Sequence, residues 1–255
     1  MVSRIPLKLT ADPIIDAVIE LRVETSLSLS DVLPGVLLQK LEDNEDIKIE
    51  RLPHADIPKH IRERDISLQY LPLVRVVAKS FTVLMGDNVL AIACRMPYPG
   101  GSVFKEKAAE LIQAMLELEI VTKIKRVSIK YVDFIRGDSN AELAKYINLK
   151  LDVGDDNDVH SQMPFSIRLE NRHEDKIIQL TQMSMPVEVK LNFNNKSFVG
   201  LVIENDTIKD LEDVSLESFK DSMLSILDSI HLQNKKSFFS ILTDYGCSKL
   251  GVIYA

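Results

Sequence analysis

A chain of 255 residues, 45% hydrophobic and 27% charged, is long enough to bury a substantial core and shows no compositional sign of disorder. Its formal charge of −7 argues against a general affinity for nucleic acid or anionic membrane, both polyanions, while leaving room for a local basic patch. The start, MVSRIPLKLTADP, has no apolar core of signal-peptide length, and no run of about 18 apolar residues occurs. Two cysteines, Cys94 and Cys247, offer neither a disulfide framework nor metal-ligand spacing, which fits a reducing cytoplasm.

In chain order, Pro6 to Pro13 reads as an extended lead-in, because each proline restricts the residue before it. Ile14 to Glu24 alternates Ile15, Ala17, Ile19, Leu21 and Val23 with Asp16, Glu20, Arg22 and Glu24, the period of a half-buried strand. Ser28 or Ser30 caps a helix predicted to run to about Asp43, with Leu33, Val36, Leu37 and Leu41 as its buried stripe. A short strand at Ile47–Leu52 and a polar loop at Pro53–Asp65 follow. Strands at Leu73–Leu84 and Val89–Arg95 then flank a hairpin turn at Gly86-Asp87-Asn88. Ser102 is the expected cap of a long helix with Phe104, Ala108, Leu111, Met115 and Leu118 at helical spacing.

The stretch Lys123 to Arg136 opens a second round. Val127, Ile129, Tyr131 and Ile135 alternate with Ser128, Lys130 and Arg136, the mark of a strand with one face in the core. Ser139-Asn140-Ala141-Glu142 matches a capping box for a short helix to about Ile147. An acidic loop at Leu151–His160 leads to strands at Phe165–Asn171, Lys176–Met183 and Val187–Phe193, then a turn at Asn194-Asn195 and a fourth strand to Glu204. Ser215 caps a long helix with Leu216, Phe219, Met223, Ile226, Leu227 and Ile230 on its apolar face, and a shorter helix around Ser237–Asp244 closes the pattern. The prediction is an α+β fold of two strand–helix–antiparallel sheet–helix units, residues 1–121 and 122–255, packed as one body. In topology this resembles the duplicated saddle of the TATA-binding-protein type.

Three stretches together carry a resemblance: Asp12-Pro13-Ile14-Ile15-Asp16-Ala17-Val18-Ile19-Glu20-Leu21-Arg22, Val127-Ser128-Ile129-Lys130-Tyr131-Val132-Asp133, and Leu227 through His231 to Phe239 and Thr243. The chain resembles a sporadically distributed family of uncharacterised bacterial and archaeal proteins. Its members begin with a Pro-Ile-Xaa-Glu-Ala-like strand, carry an Arg-Tyr-Xaa-Asn-like strand near the middle and end in a Leu-His helix. Lys130 stands where that family usually has arginine, and Asp133 where it usually has asparagine. The resemblance implies mobile genes, such as phage-defence or toxin–antitoxin cassettes. It brings no catalytic residues with it.

Several groups are candidates for chemistry. Glu188-Val189-Lys190 with Asp175 upstream has the acidic-Xaa-Lys form that restriction-type nucleases use to hold a metal and activate water; an exposed strand face is the commonplace reading, and a further strand follows where that nuclease core expects a helix. The loop with Asp152, Asp155, Asp156, Asp158 and His160 lacks the spacing of a calcium loop and reads as a solvated acidic turn. Of the five histidines, His54 and His60 share a loop without further ligands, and His231 is placed near a helix end, where a cation favours the macrodipole. Arg126, Lys130 and Arg136 give one face of the central strand a basic character, a binding surface if open and a solvated sheet face otherwise. No phosphate loop, nucleophile elbow or paired-cysteine site is present. The expected function is a non-catalytic protein-binding or regulatory module without a cofactor or metal, its partner another protein or a second copy. A metal-dependent nuclease and a nucleic-acid sensor are the alternatives.

Overall fold

The computed structural model describes residues 5–40, 47–150, 164–191 and 196–254. An α+β fold is what it shows. Among the described residues, one antiparallel sheet of nine strands runs in the order β3-β4-β5-β6-β2-β7-β10-β9-β8. The first half supplies β2 (Ile14–Thr25), β3 (Lys48–Arg51), β4 (Val74–Val77), β5 (Phe81–Met85) and β6 (Val89–Cys94). The second supplies β7 (Val121–Arg136), β8 (Phe165–His173), β9 (Ile177–Leu191) and β10 (Lys196–Asp210). In each half the opening strand pairs with the closing one, β2 with β6 and β7 with β10. The halves join where β2 meets β7, with Ile19 opposite Ile129 and Arg22 opposite Arg126.

Three helices cover one face of the sheet: α1 (Leu29–Lys40), α3 (Gly101–Leu116) and α5 (Leu216–Ile241). The reason lies in the alternation. Ala17, Ile19, Leu21 and Val23 of β2 and Val127 and Ile129 of β7 all point to that face, and each is fully buried or nearly so. The helices answer with stripes at spacings of three and four: Leu29, Leu33 and Leu37; Phe104, Ala108, Leu111 and Met115; Phe219, Met223, Leu227 and Ile230. Each large side chain buried there contributes about 1.5–3 kcal/mol by area. A second apolar cluster, with Ile135, Leu143, Met183, Met185, Leu201, Ile203, Phe238 and Leu242, lies further along α5 and β7.

Several elements differ from the sequence expectation. The predicted strand at Leu73–Leu84 is two, β4 and β5, because Ala78 N–H bonds the Phe81 carbonyl across a tight turn. Gly86 is demanded by crowding, since a Cβ there would lie 2.3 Å from the Leu71 carbonyl oxygen. The loop at Pro53–Asp65 holds a short 3-10 turn and α2 (Lys59–Arg64), whose Arg62 forms a buried ion pair with Asp87 at 2.7 Å. The strands predicted at Lys176–Met183 and Val187–Phe193 are one strand, β9, residues 192–193 lying outside the described residues, and a register shift on β10 between Gly200 and Val202 absorbs the irregularity. The box at Ser139 forms with a change: Ser139 Oγ accepts from Glu142 N–H, while Glu142 Oε2 accepts from Asp138 N–H instead of the cap's own. The helix behind it shrinks to α4 (Asn140–Leu143) and a 3-10 turn. The helix predicted at Ser237–Asp244 is the end of α5, and a separate α6 spans Asp244–Lys249. The acidic loop at 151–160 and the turn at 194–195 lie outside the described residues.

The lead-in does more than extend. Its Lys8–Leu9 forms β1, paired with β11 (Val252–Ile253) as a separate two-stranded sheet that clasps sequence-distant segments together.

Candidate functional site

Along β7 the helix-facing positions read Val127, Ile129, Tyr131 and then Asp133, so the period of the strand carries a carboxyl into the interior. On α5 the buried stripe changes character at the same level: after Leu227 and Ile230 come His231, Asn234 and Lys235 before Phe238 restores the apolar run. Where these polar positions face each other, with the lead-in and the 98–102 loop closing the sides, they line a cavity of about 530 Å³. That size suits a small organic ligand.

One wall is a relay of neutral hydrogen-bonding groups. The Tyr98 and Tyr131 hydroxyls are 2.9 Å apart, and the Tyr131 hydroxyl lies 3.0 Å from His231 Nδ1. The rings meet edge to face, Tyr98 on Tyr131 and Tyr131 on His231, which holds the relay rigid. Gly101 lets α3 approach: a Cβ there would sit 2.9 Å from His231 Nε2. Burial, helped by the charges of Lys105 and Lys235, pushes His231 down to about 4, so its imidazole is neutral near pH 7. His231 is therefore no helix-end cation. It lies well inside α5.

The acidic end of the cavity is formed by Asp133 and Asp12. Asp133 is 4% exposed, lines the cavity, and its carboxyl has no hydrogen-bond partner among the described residues. Burial, with the neighbouring Asp12 carboxylate, raises Asp133 well above the ordinary carboxylate range. Burial also raises Asp12, against the N–H of Ile14 that bonds it at 3.0 Å. Backbone pairing brings the two acids together, since Phe134 N–H bonds the Pro13 carbonyl at 2.8 Å. The basic end belongs to Lys105 and Lys235. Lys105 pairs with Asp228, and Lys235 Nζ donates to the Leu7 carbonyl at 3.0 Å. Burial and the charge of Lys105 hold Lys235 below its usual value.

Beneath α5, next to the cavity, runs a seam of paired polar side chains. Asn234 Nδ2 donates to the carbonyls of Ile129 at 3.1 Å and Asn205 at 2.9 Å. Thr181 and Ser237 donate to Asn205 Oδ1, and Thr207 donates to Gln179 Oε1 at 2.6 Å. In contrast, Asn205 Nδ2 is buried without a partner among the described residues.

The residues predicted from sequence lie elsewhere. Arg126 and Lys130 are on the opposite face of the sheet, each tied to a carboxylate: Arg126 to Glu20 at 2.9 Å and Lys130 to Glu204 at 3.3 Å. Arg136 stacks over the Phe198 ring. Burial there lifts Asp206 to about 6 against the pull of Arg126 and Lys130. The face therefore alternates in sign, because β2 and β10 bring their acids beside the bases of β7. Glu188 and Lys190 are exposed on β9, but Asp175 occupies the turn before that strand, about 43 Å away along the chain's extended path to Glu188. The nuclease set is not brought together. His54 and His60 are exposed, and His173 bonds Gln233 at 3.2 Å. Among the described residues no group of His, Cys, Asp and Glu is arranged to hold a metal ion, and no helix is long and apolar enough to cross a membrane. Asp152–His160 lies outside the described residues.

Sequence reasoning passed over Asp133, Tyr98 and Lys235 as site residues. A signal existed for the first: a carboxyl at an interior position of an alternating strand. The three stretches quoted for the family resemblance converge here, with Asp12, Tyr131, Asp133, His231 and Phe239 all lining one cavity. No protein-family model matches the chain, and no curated protein matches it.

Proposed function

We propose that the chain is a non-catalytic regulatory module that receives a ligand in the cavity between β7, α5 and the lead-in and acts through another protein. The carrying observation is the Asp133 carboxyl, buried, facing the cavity and without a hydrogen-bond partner among the described residues. A buried polar group left unpaired costs about 1–3 kcal/mol, more for a charge, and a site waiting for a ligand is a physical reason to retain one. The side chains around it favour holding over reacting. His231 is neutral and bonded to Tyr131, and burial, with Asp16, pushes the nearby Cys94 thiol up to about 12, far from a reactive thiolate. The protein partner remains a proposal supported by the exposed Leu7, Ile253 and Tyr254 around the clasp that closes the cavity.

Hydrogen exchange with and without an extract of small metabolites tests this reading. Slower exchange is expected at 7–9, 98–102 and 231–235, with the bound compound recovered unchanged. Protection confined to other segments, or conversion of the compound, would overturn it.

A further inference from the structure

The cavity is polarised, and its two ends call for opposite charges. At one end two acids, Asp12 and Asp133, line the same space, and the charge of Asp12 disfavours the ionisation of Asp133. At the other end Lys105 and Lys235 line the cavity together, and the charge of Lys105 weighs on Lys235. Between them stands the neutral Tyr98–Tyr131–His231 relay. Tyr98 feels the two acids, while His231 feels the two lysines, so each end acts on its own side of the relay. Each like-charged pair is relieved by an ion of the other sign.

We infer that the cavity binds a small amino carboxylate, its ammonium seated between Asp12 and Asp133 and its carboxylate between Lys105 and Lys235. This rests on the cavity being a ligand site, as proposed above. The exchange at the acidic end balances: the ammonium forms N–H···O contacts to the Asp133 carboxyl, whose O–H bond breaks, and the released proton passes to the buffer. The titratable groups that line the cavity with Asp133 are Lys8 and Asp12 of the lead-in, Tyr98 of the loop, Lys105 of α3, Tyr131 of its own strand, and His231 and Lys235 of α5. Of these, Tyr98, Tyr131 and His231 are held neutral by burial, which leaves the two acids, both raised by burial and Asp133 the more strongly, as the groups to yield the proton.

The test is titration calorimetry near neutral pH on the full chain, with β-alanine, γ-aminobutyrate, ε-aminocaproate and lysine, and with butylamine and butyrate as single-charge controls. At least one zwitterion is expected to bind about tenfold or more tighter than both controls. Its apparent enthalpy should shift with the buffer's ionisation enthalpy, reporting proton release. Asp133→Asn, nearly isosteric and expected to fold, should abolish that buffer dependence and weaken binding about tenfold. Lys235→Met, which keeps the apolar stem, should weaken the zwitterions and leave butylamine unchanged. Butylamine binding as tightly as every zwitterion, or Asp133→Asn binding like the natural chain, would overturn the inference. If no zwitterion binds while hydrogen exchange places another compound in the cavity, the inference fails and the ligand-site reading stands.

Discussion

The apolar cluster under α1 and α3 and the polar seam under the second half of α5 solve the same problem with different chemistry. Under α1 and α3, strand interiors read Ala17, Ile19, Leu21 and Leu90, Ile92, and helices cover them with leucine, phenylalanine and methionine. That attraction follows area and is largely indifferent to direction. Under α5, the equivalent interior positions of β9 and β10 are Gln179, Thr181, Asn205 and Thr207, all buried. These contribute only when every partner is in place, and Asn234 holds β7 and β10 together by reading a carbonyl on each. The difference teaches that the first region sets whether the chain folds, while the second fixes how α5 is seated on the sheet. The cavity occupies the border between them, where one carboxyl is left unpaired.

The comparison can be broken most severely in the apolar region. Leu111→Asp or Phe219→Asp, at positions 0% and 1% exposed, should eliminate soluble folded protein, costing more than about 4 kcal/mol. Unchanged thermal melts in either variant would refute the assignment of that core. A middle-sized effect is expected on acidification. Burial holds His231 at about 4 against an ordinary 6.5, so the unfolded chain takes up a proton that the folded state refuses, and stability falls as pH drops through that window. The full loss amounts to roughly 3 kcal/mol. Asp206 runs the other way: lifted from 3.8 to about 6, its contribution is present below the lower value and lost as pH rises through the upper one. The two offset each other over the same range. Denaturant unfolding against pH should therefore steepen in Asp206→Asn and flatten or invert in His231→Gln.

Within the seam, Asn234→Ala should cost about 1–3 kcal/mol, since it strands two buried carbonyls, and a chemical-denaturation midpoint reads this directly. A loss below about 0.5 kcal/mol would mean the seam tolerates vacancy as the apolar region tolerates rearrangement. The smallest effect belongs outside both regions. Arg51→Ala breaks an ion pair whose partners are both exposed, and its melting curve should match the parent within about 0.5 kcal/mol.

The α+β class and the amphipathic stripes could be read in the sequence because alternation and three-four spacing are local signals. Leu33, Leu111 and Phe219 announced themselves this way, and all are buried. What stayed hidden was relational. Nothing local says that the basic side chains of Arg126 and Lys130 meet Glu20 and Glu204, because those acids arrive from strands far away in the chain. His231 was misplaced for a related reason: α5 runs through to Ile241, taking in most of the stretch read as a separate helix at Ser237–Asp244, and Asn234 and Ser237 have buried partners in the sheet. Asp133 and His231 were both visible within the quoted motifs, yet only the fold shows them sharing a cavity.

The pairing of β1 with β11 has a kinetic consequence. The ladder is short, Lys8 opposite Ile253 and Leu9 opposite Val252, flanked by bonds from Leu7 N–H to Ile253 O at 2.7 Å, Thr10 N–H to Gly251 O at 3.0 Å and Ala11 N–H to Leu250 O at 3.1 Å. The segments they join are separated by most of the chain, so their contact forms only after the entropy of closing a very long loop has been met. It is also among the cheapest contacts to release, since local opening draws on short, solvent-accessible pairings long before the nine-stranded sheet yields. Because Lys8 and Leu9 line the cavity, each such opening loosens one of its walls while the nine-stranded sheet stays folded. The residence time of anything held inside is then tied to the lifetime of those few bonds.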